Sequence, residues 1–459
     1  MSPDLSILEG TFRDPAGRLY RDGDRILREV YPQHSAPVLA WLQSPLAQRW
    51  MQQGRMAATT IVASEPGQTV LLEHERIFFP TYPWEWAPSQ WRKAASLTLD
   101  LCEEALDDGF VLKDATPLNI LFIGHRAIFV DVLSFECRDT QSPLWIAYAQ
   151  FVRTFLLPLC AYLHLGWPLA ATQQRRDGYE PADLAPFLPP VRRWRRPFLS
   201  LVTLPLLLQK KWNFTNERAK VSAEVASFAV RRLLRSTRRL LDSLGPSARA
   251  SRWSSYSQTA NHYKAADHRA KQAFIRNALD SMRPARVLDV GANTGVYSRI
   301  AAECGAGVVA WDTDVQATDM NWQAAHKAGL PILPLVADFA RPTPAIGWNN
   351  RESASLLDRA RGQFDCVLML GIVHHLLVAD QIPLPAIVAQ LWEITNRWAI
   401  VEWIPQKDSQ FTELCRGREA LYAHLNEEYF IQILSRSFTV RSRDKLPNGR
   451  SLWLMERVG

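Results

Sequence analysis

The sequence predicts two dissimilar halves: an α+β half first, then a doubly wound α/β half on a mainly parallel sheet. Three observations carry this. The chain has 459 residues, and at roughly 100–200 residues per domain that calls for two or three domains. From Arg286 onward short apolar strands alternate with helical segments, as expected where helices connect parallel strands. Before residue 250 the order differs, with turn-bounded strands first and long apolar stretches later. Apolar residues at 47% and charged residues at 22% exclude a disordered or fibrous chain. The expected domains are 1–209, a basic helical linker at 210–250, and 251–459.

The first half opens with three short strands, Thr11–Arg13, Arg18–Arg21 and Arg25–Tyr31, separated by the turns Asp14-Pro15-Ala16-Gly17 and Asp22-Gly23-Asp24. Residues 35–54 have a helical pattern. Ala57–Ala63 and Thr69–Glu75 read as strands around Pro66-Gly67. A helix follows over Ser89–Asp108, then a hairpin of Asn119–Ile123 and Ala127–Val132. Residues 144–171 and 198–208 are apolar. Arg153, Pro158 and Pro168 interrupt the first, and the second is too short for a bilayer. Both are expected to be buried helices.

The net charge of +7 is unevenly spread. Residues 1–150 hold 13 Lys/Arg and 19 Asp/Glu, residues 151–250 hold 17 and 6, and residues 251–459 hold 23 and 21. The basic balance therefore comes from the central segment. Such a segment is either a solvated helical face or a surface for an anionic partner. Arg192-Arg193-Trp194-Arg195-Arg196 beside Phe198–Leu208 makes residues 192–211 a candidate for resting on an anionic membrane surface. Nucleic acid is the less favoured partner, because no RNA-binding pattern is visible. The six cysteines form no C-x-x-C pair, which suits a reducing compartment. The N-terminus lacks the pattern of a secretory signal. The expected location is cytoplasmic, with the inner face of the membrane as an alternative.

In the second half, the strand Arg286–Gly291 ends in an acid and a glycine. It runs through Ala292-Asn293-Thr294-Gly295 into the helix Val296–Cys304. Strand, glycine-bearing turn and helix make a unit that cradles a nucleotide. The next strand, Gly307–Trp311, ends at Asp312, 21 residues after Gly291, where a carboxylate holds a ribose diol in such folds. The third, Ile332–Ala337, ends in Asp338-Phe339. The fourth, Phe364–Leu370, runs into Gly371-Ile372-Val373-His374-His375. The fifth, Trp398–Trp403, contains Glu402. Phe438–Arg441 and Ser451–Glu456 add an antiparallel edge. A nicotinamide dinucleotide reading of these glycines fails because Gly-x-Gly-x-x-Gly is absent.

The ordered motifs VLDVGANTGVYS, WDTD, ADF, LGIVHHL and VEWIP resemble a class I S-adenosylmethionine-dependent methyltransferase across residues 250–459. The resemblance implies a Rossmann-like sheet of seven strands with an antiparallel final hairpin, and no metal. It implies that Asp289, Gly291, Asn293 and Gly295 line the methionine end of the cofactor. Asp312 would bind the ribose hydroxyls, and Asp338 and Phe339 would flank the adenine. Tyr256 and Tyr263 would lie in a segment folded over the cofactor. His374 and His375 follow the fourth strand, where acceptor and cofactor meet, and His is suited to a base near neutral pH. At most one of two adjacent histidines faces an acceptor, and His375 is favoured. Glu402 is read as a buried structural acid.

The first half carries Asp114-x4-Asn119 and, twelve residues later, Asp131 at the end of an apolar strand. In phosphoryl transfer the first Asp orients the acceptor hydroxyl, while the Asn and second Asp hold Mg²⁺. LKDATPLNILF and AIFVDVLSFE thus resemble the catalytic loop and metal-binding strand of protein-kinase-like and aminoglycoside-kinase-like folds, implying Mg-ATP at the first domain. The departures are clear. Leu112-Lys113 and Val132-Leu133 replace the family's His-Arg and Phe-Gly, no glycine-rich loop precedes them, and Arg28 is the nearest substitute for the third-strand lysine. A degenerate domain that binds substrate or nucleotide is one alternative. The other is that Asp114 and Asn119 serve only as turn residues.

FFPTYPWEWAPSQW, LKDATPLNIL, DVLSFE and WNNRES together resemble bacterial nodulation-protein-like methyltransferases over nearly the full length. That resemblance implies a small-molecule or glycan-type acceptor. The expected activity is methylation of a hydroxyl of such an acceptor. Two alternatives stay open: a bifunctional kinase–methyltransferase modifying a cell-surface glycan, and an RNA-modifying methyltransferase.

Overall fold

The computed structural model describes residues 5–65, 67–209, 220–245 and 265–458. The chain divides into two units, residues 1–123 with 127–248, and residues 124–126 with 249–459.

The first unit begins with a five-stranded antiparallel sheet: β1 (Leu5–Ile7), β2 (Gly17–Asp22), β3 (Arg25–Val30), β4 (Thr59–Ala63) and β5 (Val70–His74), in the order β1-β2-β3-β5-β4. The strand expected at Thr11–Arg13 is absent, and a 3₁₀ turn occupies Glu9–Thr11. There the Thr11 hydroxyl donates to Leu8 O at 3.0 Å and accepts from Leu19 N at 3.1 Å. This local pairing competes with ladder formation. Gly17 is required where β2 meets β3, because a Cβ would lie 2.0 Å from Glu29 O. Between β3 and β4 lie α1 (Pro32–Leu42) and α2 (Pro45–Gln52). They are separated because the Ser44 hydroxyl caps α2 through Ala47 N and Pro45 starts its first turn.

After β5 comes α3 (Pro88–Asp107), which buries Trp91, Leu99 and Leu101. Two small two-stranded sheets follow: β6 (Phe110–Leu112) pairs with β9 (Phe135–Cys137), and between them in the chain β7 (Ile120–Ile123) pairs with β8 (Arg126–Phe129) as a hairpin. Helical segments over 148–156 continue into α4 (Leu157–Leu165), where Phe151, Phe155, Leu157 and Leu159 are fully buried. Among the described residues no helix is long and apolar enough to cross a membrane.

The segment expected to be a linker is instead part of the first unit. Its described part forms α5 (Ala223–Ser243), which buries Val230, Leu234 and Leu241. Arg238 bridges Asp100 at 2.7 Å and Glu103 at 3.1 Å on α3, and Arg231 bridges Asp107 at 2.5 Å. The arginine-rich sequence reads as solvated, but its period leaves one apolar stripe that must be covered.

The second unit is built on a seven-stranded sheet: β10 (Arg286–Val290), β11 (Gly307–Asp312), β12 (Ile332–Val336), β13 (Phe364–Met369), β14 (Thr395–Trp403), β15 (Phe438–Lys445) and β16 (Ser451–Arg457). Their order is β12-β11-β10-β13-β14-β16-β15. The five strands β10–β14 are parallel, while β16 runs antiparallel to both β14 and β15. Val287, Leu288, Val309, Val367 and Ile400 are buried, as the central strands of a sheet covered on both faces must be. The helices used below are α6 (Ala265–Met282), α7 (Val296–Glu303) and α8 (Val315–Ala328). Chain order reverses between β10 and β13, which opens a crevice at the carboxyl ends of the strands.

Candidate active site

A cavity of about 440 Å³ lies at that crevice. The turn after β10 forms one wall. Gly291, Asn293 and Gly295 all have positive φ, at 73°, 49° and 78°. The sequence meets this demand with two glycines and with Asn, the side-chain-bearing residue that best tolerates the left-handed region. Asn293 N donates to Asp312 Oδ2 at 2.7 Å, while Asp314 N donates to Asp312 Oδ1 at 2.8 Å. The ends of β10 and β11 are thereby tied together. A Cβ on Gly291 would meet Ile372 Cδ1 at 3.0 Å, so this glycine lets the turn close against the loop after β13.

Six of the sequence-predicted residues line the cavity: Gly291, Asn293, Asp312, Asp338, Phe339 and His375. Asp289 is buried beneath it and accepts from the Ser298 hydroxyl at 2.6 Å. Burial pushes its pKa up to about 6, against the Ser298 hydrogen bond and nearby Lys271. Asp312 is also raised by burial, opposed by its backbone N–H partners. Gly295 faces α8 rather than the cavity, since a Cβ there would fall 2.0 Å from Asn321 Oδ1. Asp338 reaches the cavity rim, where its carboxylate caps Ala340 N and pairs with Arg341 at 3.1 Å. Tyr256 and Tyr263 lie outside the described residues.

The two histidines separate. His375 lines the cavity and is half-buried. His374 is buried, with neither ring nitrogen hydrogen-bonded, and burial holds its pKa well below the usual imidazole value. It is a neutral core ring packed 4.1 Å from His375 between centroids. Of the two histidines expected at the site, only His375 lines the cavity.

The cavity also carries basic residues. Lys271 of α6 and Arg450, just before β16, line it with His268 and Gln410. Behind them sits Glu402, fully buried on β14, with Lys271 Nζ at 2.6 Å and Arg450 Nη1 at 3.7 Å. Arg450 also bridges Asp408 at 2.8 Å. Lys271 Nζ lies 4.7 Å from the centre of the Tyr297 ring, a favourable cation–π distance. The cavity lining thus combines the carboxylates Asp312, Asp338 and Asp380, the cations Lys271, Arg341 and Arg450, and Trp311, Phe339, Leu370 and Ile372 as apolar groups.

In the first unit, Asp114, Asn119 and Asp131 belong to one hydrogen-bonded network. Asn119 Nδ2 donates to Asp114 O and to Ser134 Oγ, both at 3.1 Å, and Ser134 Oγ donates to Asp131 Oδ2 at 2.5 Å. The Asp114 carboxylate accepts from Gln150, and burial raises its pKa. Arg28 of β3 is buried and divides its guanidinium between Asp131 at 2.8 Å and Asp14 at 2.7 Å. Burial pushes Asp131 up, but Arg28, Ser134 and Leu133 N together outweigh it and hold its carboxyl below the ordinary value.

The chain is 30% identical over 474 aligned positions to nodulation protein NoeA of Rhizobium meliloti (strain 1021), covering 98% of this chain and 95% of that protein. The chain belongs to the NoeA family. Among solved structures, the N-methyltransferase NodS of Bradyrhizobium japonicum WM9 with S-adenosyl-L-homocysteine matches 45% of this chain and 100% of its own, at 13% identity and TM-score 0.32. The magnesium protoporphyrin IX methyltransferase ChlM of Synechocystis PCC 6803 matches 46% of this chain and 100% of its own, at 14% identity and TM-score 0.32. The bifunctional kinase-methyltransferase WbdD matches 42% of this chain and 40% of its own, at 14% identity and TM-score 0.31. No family model matches the chain. The second unit of this NoeA-family chain has the seven-stranded sheet order, the glycine turn and the cavity at the switch point that its ordered motifs predict.

Sequence reasoning missed the basic residues of the NoeA-family pocket. Lys271 precedes the glycine turn on a helix, and Arg450 sits in the last hairpin; neither belongs to a short motif. The one available signal was Glu402 within an apolar strand, since a buried carboxylate calls for a cationic partner.

Proposed function

We propose that this NoeA-family chain methylates a nucleophile, favouring a hydroxyl, of a small-molecule or glycan-type acceptor at the cavity of the second unit. The observation that carries this is the gathering of Asp312, Asp338, Lys271 and apolar side chains around one cavity at the glycine turn. S-adenosylmethionine supplies an electrophilic methyl on a sulfonium, and it also carries an ammonium, a carboxylate, a ribose diol and an adenine. Asp289 suits the ammonium, and Lys271 suits the carboxylate. Asp312, fixed by the Asn293 and Asp314 N–H groups, suits the diol. Phe339 and Ile372 offer the apolar faces an adenine needs. His375, at the mouth of the loop after β13, is the group that would accept the proton of an acceptor hydroxyl. The wall excludes water and aligns the two reactants, which is most of what an in-line displacement requires.

Calorimetry with S-adenosylhomocysteine tests the binding half of this reading. Binding lost in Asp312→Ala is expected; no binding to the folded wild type, or equal binding by the variant, would overturn it. Labelled S-adenosylmethionine incubated with fractionated cell extract then identifies the acceptor by the fraction that takes label.

A kinase-like first unit is supported by its element order: a five-stranded antiparallel sheet with helices after its third strand, then the Asp114, Asn119 and Asp131 network. The engagement of Asp131 favours a reading of the first unit without Mg-ATP. Asp131, the metal ligand implied by the resemblance, has both oxygens engaged by Arg28, Ser134 and Leu133 N, and Asp14 accepts from the second terminal nitrogen of the same guanidinium. We read the first unit as a degenerate kinase-like domain extending through residue 245, with no phosphoryl transfer assigned to it.

A further inference from the structure

We propose that residues 187–208 form a docking surface for an anionic lipid bilayer, on which the protein rests without crossing it. The proposal is independent of the methyl-transfer reading. Helical turns at Pro181–Leu184, Pro190–Arg193, Leu199–Thr203 and Leu204–Gln209 pack on one another in this region. The Arg193 guanidinium donates to Ala185 O at 2.6 Å and Leu188 O at 3.2 Å, and Thr203 Oγ1 donates to Arg193 O at 2.6 Å. Leu184, Leu188, Phe198, Leu201 and Val202 fill the interior. The cluster therefore has its own core, and its remaining apolar side chains are not core residues awaiting a place.

Those remaining side chains are large and exposed: Val191 at 68%, Trp194 at 63%, Phe187 at 60%, and Leu204, Leu207 and Leu208 at 44–48%. Interleaved with them, Arg192, Arg195 and Arg196 are exposed, and no ion pair among the described residues involves them. From residue 184 to residue 216 the sequence has six Lys/Arg and no Asp or Glu. Outside this stretch, the arginines of α5 that reach α3 are already neutralised by Asp100, Glu103 and Asp107. In residues 187–208, exposed basic charge and exposed apolar side chains are interleaved. A Trp between arginine pairs suits a headgroup layer, where its ring is half wet and half apolar. A protein partner of ordinary composition would call for pairing acids or a dry apolar face, and RNA would not need the leucines. Charge complementarity with acidic headgroups, together with shallow apolar insertion, accounts for both features.

Sedimentation of the full chain with phosphatidylcholine vesicles, with and without phosphatidylglycerol, tests this. Binding to the acidic vesicles alone is expected, weakening as salt rises. At roughly fivefold per arginine near a charged surface, Arg192→Ser/Arg195→Ser/Arg196→Ser should weaken it by on the order of a hundredfold. Trp194→Ser/Leu207→Ser should release the protein at low salt while S-adenosylhomocysteine binding, which reports on the second unit, is unchanged. Circular dichroism checks that both variants fold. No binding to acidic vesicles, equal binding to neutral ones, or binding unaffected by both variants would overturn the proposal. So would a concentration-dependent dimer abolished by Trp194→Ser, or RNA bound more tightly than acidic vesicles at the same salt.

Discussion

Lys271 donates to Glu402 across 2.6 Å, with both side chains buried, although 131 positions separate them in the chain. The pair fastens the helix before the sheet to the fifth parallel strand and fixes a cationic group in the cavity lining. Removing one member of a buried pair leaves an uncompensated charge, at a cost of about 3–5 kcal/mol.

Lys271→Met and Glu402→Gln should therefore both lower the thermal midpoint. They should differ in binding. Lys271→Met is expected to reduce S-adenosylhomocysteine affinity at least tenfold at temperatures where it remains folded. Glu402→Gln, which keeps the ammonium, should lose less. Calorimetry on both variants, paired with thermal scans, measures the difference.

Asp289 gives a pH dependence with a definite sign. Its pKa is about 6 in the folded chain against an ordinary 3.8. Between those values the unfolded chain has released the proton and the folded chain retains it, so stability falls as pH rises through the window. The full loss, roughly 3 kcal/mol, is present above pH 6. Asp289→Asn should flatten the ligand-free stability profile over that range while weakening S-adenosylhomocysteine. Proton release on ligand binding near pH 6, measured in buffers of different ionisation enthalpy, should vanish in the same variant.

His375→Gln should lower the methyl-transfer rate by about 10²–10⁴ if it accepts the acceptor's proton, with S-adenosylhomocysteine affinity held within a few fold. His374→Phe should retain the rate, because that ring is neutral and buried in the wild type. Equal losses in the two variants would mean that neither histidine acts as the base.

The Arg28 clamp predicts that the wild-type first unit takes up no Mn²⁺, with or without ATP, in a paramagnetic titration. Arg28→Met should unmask Asp14 and Asp131 and admit the ion, though with a lowered midpoint from the uncompensated carboxylates. Arg28→Lys, which preserves one charge, provides the better-folded comparison. Mn²⁺ binding by the wild type that is lost in Asp131→Asn would reverse this reading of the site.

Much of the second unit was legible because its signals are local. Strands buried on both faces are continuous apolar runs, and the turn after β10 needs left-handed backbone, which only a few residue types tolerate. Arg450 was not legible. It reaches Glu402 because an antiparallel hairpin returns beside β14, a relation no short window contains. The sequence showed that at most one of the two histidines could face the cavity, and favoured His375, without giving the packing that decides it. Successive residues in a helical turn diverge by roughly 100°, so one ring faces the cavity and its neighbour the core, and which is which depends on the packing of the loop. In the first half, Arg28 was noted for its strand position, yet its partners Asp14 and Asp131 are known only once the sheet is folded over the hairpins.

The burial of α5 against α3 has a practical consequence for dissecting the protein. A fragment cut at residue 209, where the sequence suggests a boundary, would bare the α3 face that Val230, Leu234 and Leu241 cover and leave Asp100, Glu103 and Asp107 without their arginines. A fragment carried through residue 245 keeps its own lid and counter-charges. Solubility of the longer piece and aggregation of the shorter one is the expected result, because three of the acids of the first 150 residues find their counter-charges only on the helix that the shorter piece lacks.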